Sequence, residues 1–228
     1  MASKAPNQIG SLFAWFDASQ ITGKSDGDAI TTWTNSEGTS ARDVTQATPG
    51  KRPLYKTAIL NSKPVVRFDG ADDELKMATL TLNQPVSVYV VAQMRGAYSA
   101  NKTIFDGDAV NSCRLYWFSS TQLGMYAGGS VAPQITVAMS NAFHLLECLY
   151  SGAASAIRAD GSAATTANTG TAAPGGFTLG GLGGGSGSNA PVDIAEIALF
   201  TAALSTADRQ ALERYFAAKY ALSVSTNA

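Results

Sequence analysis

The stretch PVSVYVVAQM, residues 85–94, constrains the chain more than any other. Val86, Val88, Val90 and Ala92 share one face of an extended strand, and Tyr89 and Val91 share the other, because successive side chains alternate. Apolar groups on both faces predict a central strand covered on both sides. Shorter β-branched and aromatic runs recur along the chain at residues 12–16, 30–33, 63–67, 103–105, 114–118, 123–126, 134–137, 143–150, 177–179 and 192–200. Gly, Pro, Asn and Asp separate them, as turn chemistry requires. Asp160-Gly161 lies between two such runs and suits the positive φ angles of a type I′ hairpin turn. Residues 35–56 are polar and punctuated by Pro and Gly, and read as an extended loop.

One helix is predicted. Ser205 can cap its first turn, and Asp208 at the third position suits the helix dipole. Leu212, Tyr215, Phe216 and Tyr220 recur at helical spacing, and Arg209, Gln210, Glu213 and Arg214 fall mainly on the other side. The expected element is an amphipathic helix of about four turns packed on a sheet. The fold class is therefore all-β: a two-sheet antiparallel β-sandwich with one C-terminal amphipathic helix. The expected division is an arm over 1–8, a single domain over 9–222 and a tail over 223–228.

The chain has 228 residues, 45% of them hydrophobic and only 14% charged, with a formal net charge of -1. A sizeable core is within reach, and no electrostatic footprint for nucleic acid or an anionic membrane is present. No run approaches the roughly 20 apolar residues of a membrane span. The start, MASKAPNQIGSLFAWF, has no apolar run of signal-peptide length, so synthesis in a cytosol with Cys113 and Cys148 as reduced thiols is expected.

The stretches LFAWFDASQI, KPVVRFDGADDEL, FHLLECLYSGAASAIRADGS and VDIAEIALFTAALSTADRQALERYFAAKY follow one another over about residues 9–222. In that order the chain resembles the laminin-G-like, concanavalin-A-like jelly-roll domains. The resemblance implies a fold shared by lectins, adhesion modules, glycoside hydrolases and bacteriophage structural proteins, and does not by itself choose among them.

Some hydrolases of that fold carry two acids on one strand face. Asp193 and Glu196 are three apart, which on a regular strand puts them on opposite faces. A retaining pair needs carboxyls about 5–5.5 Å apart and an inverting pair about 6.5–9.5 Å, so no catalytic residue is expected. His144 and Cys148 share a strand face but stand about 13 Å apart along it, too far for a dyad. The glycine-rich stretch GGLGGGSGSNAPVD precedes a strand rather than a helix, and reads as a flexible surface loop. Asp106 and Asp108 in FDGDAVNS are candidate calcium ligands, as are Asp69, Asp72 and Asp73; no other cofactor is expected. Trp15, Trp33, Tyr116, Trp117 and Tyr126 are aromatics with two readings, core packing or a sugar platform.

The expected function is a non-enzymatic virion structural protein, such as a bacteriophage capsid decoration, head-fibre or tail-associated protein. Its partners would be other virion proteins, such as a major capsid protein or tail proteins, and its place the virion, after synthesis in the host cytoplasm. A single sandwich rich in Ala, Gly, Ser and Thr with no export signal carries that expectation. The alternative is a lectin-like module that reads host glycans. A homo-oligomer is a further option for either.

Overall fold

The computed structural model describes residues 2–96, 101–119, 121–129, 133–137, 142–185 and 187–225. Among them, two eight-stranded sheets form a sandwich. The first contains β1 (Leu12–Asp17), β4 (Leu54–Leu60), β5 (Lys63–Arg67), β7 (Val86–Met94), β12 (His144–Tyr150), β13 (Ala156–Ala159), β14 (Thr165–Thr166) and β16 (Val192–Phe200). The second contains β2 (Thr32–Trp33), β3 (Val44–Thr45), β6 (Leu75–Met77), β8 (Lys102–Asp106), β9 (Arg114–Trp117), β10 (Gln122–Tyr126), β11 (Gln134–Thr136) and β15 (Thr178–Leu179). The orders are β14-β13-β12-β7-β16-β5-β4, with β1 added to β16, and β11-β10-β9-β8-β15-β6-β3-β2. Every strand pair is antiparallel. The one α-helix among the described residues, α1 (Thr206–Tyr220), covers the outer face of the first sheet.

β7 lies between β12 and β16, as its two apolar faces predict. Val86, Val88, Val90 and Ala92 enter the core between the sheets, where Phe16, Trp33, Phe105, Trp117, Tyr150 and Phe177 also pack. Tyr89 and Val91 enter a second core beneath α1, with Trp15, Val65, Leu145, Phe200, Leu212, Phe216 and Tyr220. Asp160 and Gly161 have φ 51° and 66°, as the turn between β13 and β14 requires. Ser205 Oγ accepts from the Asp208 amide at 3.2 Å, so the expected cap is present. Residues 2–9 lie along α1: the Lys4 amide donates to Ala211 O at 3.0 Å, and Ile9 joins the core beneath the helix. Among the described residues, no helix is long and apolar enough to cross a membrane.

Three expectations need correction. The polar stretch 35–56 holds β3 and the start of β4. β4 is an edge strand whose only buried side chain is Tyr55, so it lacks an alternating pattern. Arg209 and Glu213 do not face solvent: both are buried, and their side chains pair. The glycine-rich stretch is a packed crossing. An added Cβ on Gly183 would stand 2.1 Å from Gly107 O, and one on Gly180 would stand 2.3 Å from the Phe68 ring; Ser186 lies outside the described residues.

Candidate functional site

The outer face of the second sheet carries an ordered array of polar and aromatic side chains. Arg114 and Tyr116 alternate along β9, and Phe118 continues the row beyond the strand end. On β10, Tyr126 stands opposite Arg114 and Gly124 opposite Tyr116. On β11, Gln134 stands opposite Gly124 and Thr136 opposite Gln122. The period of two therefore puts aromatic, amide and hydroxyl groups on one face, while Leu115, Trp117, Leu123 and Met125 go inward. Gly124 lies beside the Tyr116 ring, where a Cβ would stand 3.5 Å from it, and Tyr116 itself is only 7% exposed.

Arg114 fixes the array. Its Nε donates to Thr103 Oγ1 at 2.9 Å, Nη1 to Asn111 Oδ1 at 3.2 Å and Nη2 to Asn101 O at 3.2 Å. Its Cζ lies 4.1 Å from the Tyr116 ring centroid, a cation–π contact. Tyr116 meets Phe118 edge to face, with ring centroids 6.3 Å apart. Burial raises the Tyr116 hydroxyl pKa, against the pull of Arg114, so it is a neutral donor and acceptor at neutral pH. Phe118 is 44% exposed, and Gln122, Tyr126 and Gln134 are half-buried. Such a surface can stack on an apolar ring face and hydrogen-bond hydroxyls.

Of the aromatics singled out in the sequence, Trp15, Trp33 and Trp117 are core residues and Tyr116 is buried at 7% exposure on the side of this face, while Tyr126 is half-buried on it. The sequence reading did not find Arg114, Phe118, Gln122 and Gln134. The i, i+2 spacing of Arg114, Tyr116 and Phe118 was the available signal.

The strand acids turn out differently from expectation. Register shifts between Ile194 and Glu196 opposite β7, and Ala195 and Glu196 both face α1, the arrangement of a bulge. Asp193 and Glu196 consequently share the outer face of the first sheet, rather than opposite faces. They do not act as one unit. Asp193 is held by Arg67 at 2.7 Å and Arg95 at 3.1 Å. Glu196 accepts from Trp15 Nε1 at 2.6 Å, Tyr215 OH at 3.0 Å, Tyr220 OH at 2.7 Å and Lys219 Nζ at 2.6 Å. Both carboxylates are engaged by structural partners.

Asp106 is buried and accepts from the amides of Gly107, Asn111, Cys113 and Gly183 at 2.8, 2.7, 3.0 and 3.3 Å. Burial raises its pKa and those four donors oppose the rise. Asp108 accepts from Thr79 Oγ1 at 2.8 Å. Asp106 thus organises the 106–113 loop, and Asp108 lies at its rim. Asp69, Asp72 and Asp73 place carboxylate oxygens within 4.8 Å of one another, and Asp73 also accepts from the Asp69 amide at 2.9 Å. His144 Nδ1 pairs with Asp160 Oδ2 at 2.5 Å, and Cys148 lies in the inter-sheet core.

No protein-family model matches the chain, and no curated protein matches it. Solved structures do. A Trypanosoma rangeli sialidase in complex with 2,3-difluorosialic acid superposes with a TM-score of 0.68 at 9% identity, over 92% of this chain and 33% of that one. The same organism's sialidase in complex with sialic acid gives 0.64 at 10% identity, over 90% and 33%. An arabinofuranosidase complexed with arabinofuranosyl-α-1,2-xylobiose gives 0.60 at 16% identity, over 84% and 51%. The chain spans about a third of the sialidases and half of the arabinofuranosidase. At these identities the likeness is one of fold. It corrects the expectation of a non-enzymatic chain: the matched chains are enzymes, so this fold gives no ground for excluding enzymatic activity. The chain is a β-sandwich of the kind found within these glycosidase chains.

Proposed function

We propose that this chain is a carbohydrate-binding β-sandwich module whose glycan lies on the outer face of the second sheet. The observation that carries the reading is the exposed Phe118 ring at the end of the Arg114, Tyr116 and Phe118 row, with half-buried Gln122, Tyr126 and Gln134 around it. A sugar ring would stack its C–H face on Phe118, and its hydroxyls would meet the amides of Gln122 and Gln134. Arg114 is a positioning residue that holds Tyr116 from behind. The likenesses to chains solved with sialic acid and with an arabinofuranosyl xylobiose support the ligand class. They favour this reading over the virion role expected from the sequence.

The test is a glycan array probed with the whole chain. Saturable binding to one glycan class, lost in Tyr126→Ala and Phe118→Ala, supports the proposal. The absence of binding at millimolar glycan, with co-sedimentation on virus particles, would replace it with the virion reading.

A further inference from the structure

The outer face of the second sheet is longer than one sugar ring. It runs lengthwise along β9 and β10. Phe118 stands at one end, beside Gln122, whose carbonyl accepts from the Phe118 amide at 2.9 Å. Tyr126 stands at the other end, opposite Arg114. Gln122, Gly124 and Tyr126 share the outer face of β10, because Leu123 and Met125 between them enter the core. At ~3.3 Å per residue, Gln122 and Tyr126 lie about 13 Å apart. No single sugar ring reaches both ends. Phe118 is exposed and Tyr126 half-buried, so each offers ring surface to a ligand. Gly124, midway along β10, adds no side chain between them.

Charge narrows the ligand further. On β8, β9, β10 and β11 the charged side chains are Lys102, Asp106 and Arg114, and each is committed within the fold. Lys102 Nζ donates to Gly70 O at 3.3 Å. Asp106 is buried and accepts from four backbone amides. Arg114 is 8% exposed and donates to Thr103, Asn111 and Asn101. These strands therefore hold no uncommitted charge to pair with a carboxylate, sulfate or ammonium on a ligand. The side chains of Gln122, Tyr126, Gln134 and Thr136, in contrast, make no hydrogen bond among the described residues. Their amide and hydroxyl groups both donate and accept, as sugar hydroxyls do. Gln134 lies opposite Gly124 and Thr136 opposite Gln122, so these groups flank the path between the two aromatic ends. We propose that this face binds a neutral oligosaccharide of about three sugar units or more, the length that covers about 13 Å of strand, with its ends on Phe118 and Tyr126. The ligand class rests on the reading of this face as a glycan site.

The experiment is calorimetric titration of the whole chain with cello-, xylo-, manno- and galacto-oligosaccharides, each from monosaccharide to hexasaccharide, with sialyllactose and oligogalacturonate as acidic probes. At least one neutral series should gain about tenfold in affinity between its monosaccharide and its tetrasaccharide, and little beyond. Phe118→Ala and Tyr126→Ala each remove one end contact, and each should cut that gain to about twofold or less. Phe118→Ala carries the test if Tyr126→Ala does not fold. Three results overturn the proposal while the glycan reading stands: a monosaccharide that binds as tightly as its longest oligomer, a gain with length that survives the variants unchanged, or an acidic probe that binds more tightly than every neutral sugar. Binding by none of these sugars overturns both.

Discussion

Lys219 Nζ lies 2.6 Å from Glu196 Oε2, so the end of α1 is anchored to β16 by an ion pair at the edge of an apolar core. The same nitrogen reaches Asp17 Oδ2 at 2.5 Å. Burial, and then the nearby Asp17, raise the Glu196 pKa, and Lys219 opposes them. Lys219→Met removes the shared cation from two buried carboxylates, and the expected loss is about 3–5 kcal/mol. Urea denaturation of the variant measures it. A change below about 1 kcal/mol would show that Lys219 does not compensate these charges.

Glu147 makes stability fall with rising pH. Burial and the neighbouring Glu213 carboxylate hold its pKa well above the ordinary 4.5. The unfolded chain therefore gives up this proton first. The contribution is complete below about pH 4.5 and is lost as the pH rises toward the folded value. Burial acts the same way on Asp106 and Glu196, and takes Asp73 from 3.8 to about 6. Thermal scans should show a higher midpoint near pH 5 than near pH 8, and Glu147→Gln should flatten that slope. A midpoint that rises across this interval contradicts the prediction.

Asp106 gathers four backbone amides from both sides of a chain crossing. Asp106→Asn replaces one acceptor oxygen by a donor facing those amides, and should cost about 2–3 kcal/mol in urea denaturation. Because both carboxylate oxygens are engaged, a chelator should leave the unfolding midpoint of the wild-type chain unchanged. A chelator-sensitive midpoint would return Asp106 and Asp108 to the role of calcium ligands.

Gly183 is required by close approach. An alanine Cβ would stand 2.1 Å from Gly107 O and 2.8 Å from the Asp108 carbonyl carbon, both backbone atoms. At Gly50 nothing lies within 4 Å of the added atom. Gly183→Ala should lower stability by about 2 kcal/mol or more, and Gly50→Ala should change it by less than about 0.5 kcal/mol. Equal effects in paired thermal unfolding runs would refute the crossing as the constraint.

The sandwich was legible wherever a local rule and the tertiary environment agree. β7 alternates between two apolar layers, β16 is a long apolar run, and Ser205 with Asp208 marks the helix start. β4 was hidden because an edge strand with one buried side chain has no period to read. The bulge at Ala195 was hidden because a small residue facing either way leaves no pattern. The wheel of α1 assigned Arg209 and Glu213 to solvent, but the sheet beneath presents Glu147, and polar residues meet it. The candidate face was half legible: Tyr116 and Tyr126 could be named, but only strand register brings Gln134 opposite Gly124 and Arg114 opposite Tyr126.

The most direct test of the account is calorimetric titration of an array-selected oligosaccharide into the wild-type chain and Phe118→Ala. The account predicts saturable binding by the wild type and affinity about tenfold weaker in the variant. Phe118 is exposed, so the unfolding free energy should move by less than about 0.5 kcal/mol. Equal affinity in the two proteins would contradict a glycan site on the outer face of the second sheet.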